Sequence, residues 1–363
     1  MTVERQANPT PDASWTDPEQ TLSFARQSTW LALLIAALEL AAVLAFIALA
    51  VSALPLALNL VAAIIAGLLT GTLFTVGHDA CHQSLTPHRV LNDWIGRIVF
   101  IPSAHARSLW ILGHNRIHHG YTNLRGRDYV WEPMSPDVYR RASALRRVAY
   151  RLYRSRLGAL PYYLVQMWWR KNFLPLAPEA RSEWRKHVFD SAFAVIGWLC
   201  LGAAIGWLGG VLAPQRPVWE PLLLGWILPF LVFNWTIGWI IYVHHTHPEV
   251  AWWDDAAAWR ASRPHLLATL HVRLPQPLHA ISNSIMDHNA HHAAPKIPLY
   301  RLRQAQARLR EHRPAIRHYY LTPAAYVRIV DACKLYDSEI CRWTDFAGRP
   351  TGPVCSPVKV AAG

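Results

Sequence analysis

Between Thr29 and Val76 lies an almost unbroken apolar run, relieved only near Ser52 to Pro55, and it restricts this chain to few architectures. Its length suffices for two membrane spans of about 20 residues each. In lipid the backbone must satisfy its own hydrogen bonds, so such a run is helical. A second apolar pair follows at Val188 to Leu212 and Val218 to Val243, joined by a turn holding Pro214, Arg216 and Pro217. The expected fold class is all-α integral membrane: four transmembrane helices in two hairpins, with spans at about 29–51, 54–76, 188–212 and 218–243. Composition agrees, since only 16% of residues are charged and 52% are hydrophobic, against about 25% charged in soluble proteins.

Each hairpin returns the chain to the side it left, so residues 1–28, 77–187 and 244–363 share one face. These segments hold 2, 18 and 15 of the 36 Lys and Arg residues, and Arg216 is the remaining one. The bias of basic residues toward the cytoplasm places the three segments in the cytosol. It also accounts for the net charge of +13 through anionic lipid, without nucleic acid as a partner. Five cysteines form no CxxC pair and indicate neither a disulfide framework nor a thiolate metal site.

Three divisions follow: an N-terminal cytosolic segment (1–28) with no visible secretory signal, a membrane domain (29–350) and a flexible tail (351–363). Within the domain, Asp93 to Leu112 and Leu157 to Phe173 are apolar runs too interrupted by basic residues to span; interfacial or re-entrant helices are expected there. Tyr300 to His312 reads as a solvated helix, and Glu39, inside the first span, as a structurally paired acid. These cytosolic parts form a helical cap.

Every histidine group falls just beyond a span end or within the cytosolic segments. His78 and His82 follow the second span; His114, His118 and His119 fall within six residues; His288, His291 and His292 lie in Asp287-His-Asn-Ala-His-His; and His244, His245 and His247 follow the fourth span. On a helix, residues three to five apart share a face, so each group suits metal ligation. The first three groups hold eight histidines, and one from the fourth makes nine, enough for two metal ions. Imidazole serves iron, zinc, copper and nickel alike. The Glu-x-x-His pairs of soluble di-iron bundles are absent, so an all-histidine dinuclear site is expected.

These motifs resemble the three histidine boxes of the membrane fatty acid desaturase family, over roughly Phe74 to Gln304. His78-Asp-Ala-Cys-His82 resembles the first box, His114 to His119 the second, and His288 to His292 followed by Pro295-Lys-Ile-Pro-Leu-Tyr300 the third. Tyr242 to Trp253 resembles the stretch after the fourth span, and Gly126-Arg-Asp-Tyr-Val-Trp-Glu-Pro133 resembles acyl-lipid desaturases of the Δ12 and ω-3 kind. Box two departs from that subgroup, with three residues (Asn115, Arg116, Ile117) rather than two between its first histidines.

The resemblance implies two non-haem irons held by His78, His82, His114, His118, His119, His245, His288, His291 and His292, with His247 in reserve for His245. Asp79 and Asn283 are candidates to orient those ligands. His88, His105, His187, His265, His271, His279, His312 and His318 match no box and are assigned surface or structural roles. The implied reaction uses O₂ to introduce a cis double bond into a fatty acyl chain, in glycerolipid of a bacterial inner membrane. Electrons come from a separate ferredoxin-like or cytochrome b5-like donor, since no fused haem or iron–sulfur module is visible. Alternatives are a carrier-protein-linked acyl desaturase or acetylenase, a hydroxylase or ketolase on the same scaffold, and a zinc-binding membrane protein without redox activity.

Overall fold

The computed structural model describes residues 24–355, apart from positions 263, 314 and 315 and the side chain of residue 280. The expected segment 1–28 thus lies mostly outside the described residues, as does the tail beyond Cys355. The described start of that tail is held in place: Thr351 N–H donates to Trp343 O at 2.9 Å, Cys355 N–H to Cys341 O at 2.7 Å, and Cys355 is buried.

The protein is mostly helical, and four helices are long and apolar enough to cross a membrane. They are Thr29–Ala50, Leu56–Cys81, Trp184–Leu212 and a fourth running from Trp219 to His245. Three boundaries differ from the sequence reading. The second helix continues five residues past Val76, because box one is itself helical and needs no break before its histidines. The third begins at Trp184, after a 3₁₀ turn over Pro178–Glu183. The fourth relaxes into π-helical turns at Leu223–Ile227 before resuming at Leu228–His245. Pro229 lacks the N–H that an α-helical ladder would need there.

At the centre is the second helix, packed along both the first and the fourth. Small residues allow the close approach, as they do generally between helices in lipid. A Cβ added at Gly67 would lie 2.5 Å from Val232 Cβ and 2.7 Å from Pro229 O. Near its end, Gly77 meets the ring of Phe100 just as closely. Glu39 faces this bundle; its carboxylate accepts from the amide of Asn283, which also donates to Thr75 Oγ1 at 2.9 Å and Thr72 O at 3.2 Å.

The interrupted runs form helices, though with different breaks. Arg89–Val99 ends before a loop containing Pro102, and a new helix starts at Arg107, where one continuous element was expected over Asp93–Leu112. That helix passes from Arg107–Trp110 into π-turns at Ile111–His118 and closes at His119–Tyr121. A second π-helical stretch, Tyr163–Phe173, continues Ala159–Tyr162. Short helices His288–Ala293 and Leu299–His312 follow, with strand pairs His271–Arg273 with His318–Tyr320 (parallel) and Leu335–Asp337 with Arg342–Thr344 (antiparallel).

Because Gly67 sits where two helix backbones nearly touch, Gly67→Leu is expected to destabilise the bundle by about 1–3 kcal/mol through overpacking. A thermal melt of the detergent-purified variant checks this; an unchanged midpoint would contradict the packing.

Candidate metal centre

Box one lies on the last turn of the second helix. Its i, i+4 spacing places the His78 and His82 rings with centroids 4.7 Å apart. Box two lies on the π-turns, whose i→i+5 repeat brings His114 and His119 together, Nε2 to Nε2, at 3.1 Å. The three-residue gap that set box two apart from its subgroup thereby acquires a structural role. Asn115, inside that gap, donates to Cys81 O at 2.9 Å and ties box two to the end of box one. Box three is the short helix His288–Ala293, held by Asn289 donating to Thr269 O (3.1 Å) and Oγ1 (2.7 Å) and by Ala290 N–H donating to Gln306 Oε1 (2.9 Å).

All nine proposed histidines converge. Two groups of four have one ring nitrogen each within 4.8 Å of the others: His78, His82, His114 and His291 in one, and His118, His245, His288 and His292 in the other. His119 lies between them. Its Nε2 is 3.1 Å from both His114 Nε2 and His291 Nε2, and its ring stacks on His292 at 4.2 Å. His247 lies elsewhere: its Nδ1 accepts from Glu249 N–H at 3.2 Å and its ring packs on Tyr319. Asn283 is likewise directed at Glu39, Thr72 and Thr75, and among the described residues it has no contact with the nine imidazoles.

Asp79 occupies an orienting position. Its Oδ1 accepts from His78 Nδ1–H at 2.9 Å while Oδ2 accepts from Leu299 N–H at 2.5 Å, linking box one to the helix after box three. Sequence reasoning missed four comparable supports. Asp128 accepts from His118 Nδ1–H at 3.0 Å, Ala268 O from His245 Nδ1–H at 3.1 Å, and Thr122 Oγ1 from His292 Nδ1–H at 3.4 Å. His244 stacks face to face on His288 at 4.0 Å. Asp128 had a signal, being one of only 23 acids and ten residues beyond His118; the backbone carbonyl and the stacked ring had none. His271 and His279, which match no box, are buried and share Asp287, at 3.1 and 3.0 Å, next to His288.

These hydrogen bonds decide whether the site fits a metal. A carboxylate or a carbonyl only accepts, so His118 and His245 both carry their proton on Nδ1. The hydroxyl of Thr122 is spent on His118 O at 2.8 Å, so His292 does the same. In the neutral form that binds a metal, these rings then present Nε2 lone pairs to the group interior, and the Nε2 atoms of His118 and His245 face each other at 3.2 Å. Two lone pairs at that distance repel and form no hydrogen bond. In the other group, buried His78 Nε2 and His82 Nε2 have no hydrogen-bond partner among the described residues. Converging, buried imidazole lone pairs are a cation site, and neutral imidazole suits divalent first-row transition metals.

Electrostatics agree. Burial, then the charge of neighbouring histidines, holds His82, His114, His119, His288, His291 and His292 well below the usual imidazole value, so they are neutral at neutral pH. Beside both groups is a cavity of about 40 Å³, lined by His114, His118, His245 and His288 and by apolar Trp110, Val130, Met167 and Ile241.

The site is thus a pair of buried all-histidine clusters, fit for metal, assembled from the ends of two membrane-length helices and two shorter helices. The fatty acid desaturase model matches residues 53–324, and the chain belongs to that family. It is 28% identical over 284 residues to the sn-1 oleoyl-lipid 12-desaturase of Picosynechococcus sp., covering 75% of this chain and 76% of the relative. It is 30% identical to the enzyme of that name from Synechocystis sp., covering 75% and 74%. Similarity to the chloroplastic omega-6 fatty acid desaturase of Arabidopsis thaliana, 27% identical, covers 67% of this chain and 52% of that protein, so the chain spans about half the chloroplast relative's length.

A pH prediction follows. The buried imidazoles have folded-state values below their unfolded value of about 6.5, so the unfolded chain binds more protons at acid pH. Their stabilisation is complete above about pH 6.5 and is lost as pH falls, and metal release has the same sign. Thermal midpoints of the purified protein should hold between pH 7.5 and about 6.5 and fall from there to pH 5; a midpoint that stays flat or rises below pH 6.5 would contradict the neutral buried cluster.

Proposed function

We propose that this protein is an acyl-lipid desaturase that introduces a cis double bond into a fatty acyl chain of membrane glycerolipid. The observation that carries the reading is the convergence of two imidazole groups on facing lone pairs, beside an apolar cavity. Family membership and relatives named for action on oleoyl-lipid support it. The cofactor is two non-haem irons, held by His78, His82, His114 and His291 on one side and His118, His245, His288 and His292 on the other, with His119 between.

When bound and reduced, iron supplies the activation of O₂ needed to remove hydrogen from an unactivated methylene. The protein's tasks are the remaining ones. Asp79, Asp128, Thr122 and the Ala268 carbonyl fix which nitrogen of each ring carries the proton, leaving the other free to ligate. Trp110, Val130, Met167 and Ile241 exclude water and hold two adjacent methylenes beside the histidines. Over one turnover, O₂, two hydrogens from the chain, two electrons and two protons give the alkene and two waters.

The electrons come from a separate acidic donor, drawn to a segment in which basic residues outnumber acids 18 to 7 between positions 77 and 187. The four helices form two hairpins, and the histidine cap faces the cytosol of a bacterial inner membrane. The distribution of Lys and Arg supports that orientation.

Expression in a host that makes only saturated and monounsaturated lipids tests the function. A new diene in phospholipid is expected from the wild type, and none from His78→Ala, His118→Ala or His291→Ala, which should still accumulate in membranes. The helix Leu299–His312, expected to be solvated, buries Leu302, Ala305 and Leu309 on one face, but His312 at its end is exposed, and His312→Ala should stay within a few fold of wild type. Diene formation by His118→Ala would overturn the ligand assignment. An acyl chain converted only on a carrier protein, or a hydroxylated product, would replace the acyl-lipid reading.

A further inference from the structure

The stretch Gly126–Pro133 does more than supply Asp128 to His118: Tyr129, Glu132 and Pro133 form part of the wall of a cavity of about 620 Å³. Five cations also line it, Arg125, Arg146, Arg154, Arg170 and Lys171, against Glu132 as the one acid in that lining. Two of the five have carboxylate partners already, Arg125 with Asp254 at 3.2 Å and Lys171 with Glu179 at 3.1 Å. Among the described residues Arg170 is held only by the neutral Gln166, at 2.9 Å, and Arg146 is exposed.

Arg154 is the unusual member. It is 2% exposed, its Nη2 donates to Trp131 O at 2.6 Å, and its Nη1 has no hydrogen-bond partner. Among the described residues it forms no ion pair. Instead four rings surround it: Trp131 and Tyr150 at 5.6 Å, Trp343 at 5.8 Å and Tyr242 at 6.0 Å. Cation–π contacts offset part of the desolvation. A buried guanidinium with a free N–H nonetheless calls for an anion, because an unpaired buried charge is costly and a paired one is not.

The cavity's neighbour indicates which anion. Tyr129 lines the large cavity, and its hydroxyl lies so close to Gly113 that a Cβ there would be 2.5 Å away. Gly113 in turn lines the small cavity at His114 and His118. Lys171 rests over the same tyrosine ring at 4.4 Å. Tyr129 thus links the wall of a basic chamber to the wall of the apolar space beside the proposed metals.

We propose that the basic chamber seats the phosphate of a glycerophospholipid substrate, with the acyl chain passing Tyr129 to reach the histidines. Arg146 and Arg170 are the phosphate donors, and Arg154, buried behind the chamber's aromatic wall, adds its positive charge from the inner side. This rests on the acyl-lipid reading and narrows it, since a headgroup held by two arginines and the charge of a third selects phosphate-bearing lipid over neutral glycolipid.

Binding is measured without turnover, by isothermal titration of the full-length, metal-loaded protein in detergent with dioctanoyl phosphatidylglycerol and with dioctanoyl galactosylglycerol. The phospholipid should bind at least about tenfold more tightly, a difference of one decade in Kd. The double variant Arg146→Ala with Arg170→Ala, altered only at exposed positions, should lose most of that preference. Arg154→Met should abolish it and Arg154→Lys should retain part. Equal affinity of the wild type for the two lipids would overturn the proposal, as would a preference that survives the double variant. Inorganic phosphate binding as tightly as the phospholipid would reduce the chamber to a simple anion site. A protein that prefers phospholipid yet forms no diene would sink the desaturase reading and leave the chamber standing.

Discussion

Facing imidazole lone pairs are the constraint on which the rest of this structure depends. In the neutral form that binds a metal, nitrogens such as those of His118 and His245, 3.2 Å apart and both without a proton, repel unless a cation lies between them. Four separate segments deliver these rings, and each is fixed by its own element of the fold. The second helix carries box one on its last turn; π-turns bring His114 and His119 together; the fourth helix ends on His245; and a short helix pinned by Asn289 and Gln306 presents box three.

The supports outside the rings are as specific as the ligands. Asp79 and Asp128 both accept an Nδ1 proton, yet they connect different parts of the fold. Asp79 reaches Leu299 at the start of the helix after box three, while Asp128 caps the turn at Asn123 and Val130. Loss of such a partner typically costs 10- to 100-fold in metal affinity or activity. Asp287 forms a third example at one remove, bridging His271 and His279 beside His288.

Much of this was legible in the residues. Apolar length announced four helices, because lipid leaves a long apolar segment no alternative to helix. Spacing of three to five announced ligand faces, and all nine histidines converge on the centre. Less legible was anything that depended on chain continuity or on distant contact. Val76 was taken as the end of a span although the helix ignores the change from apolar to polar and runs to Cys81. Pro102 splits a segment whose composition reads as one element. Asn283, placed near box three by sequence alone, turns its amide toward Glu39 in the first helix, a partner 244 positions away. The buried His271 and His279 match no motif, and their shared carboxylate is visible only in three dimensions.

The central claim is that the two imidazole groups hold a pair of irons. Metal analysis of the purified full-length protein, alongside Asp128→Asn, tests it most directly. The account predicts about two irons per chain in the wild type and a clear loss in the variant, because Asn cannot enforce the Nδ1 proton of His118 as a carboxylate does. Zinc alone in the wild type, or full iron occupancy retained by Asp128→Asn under competition from a chelator, would contradict it.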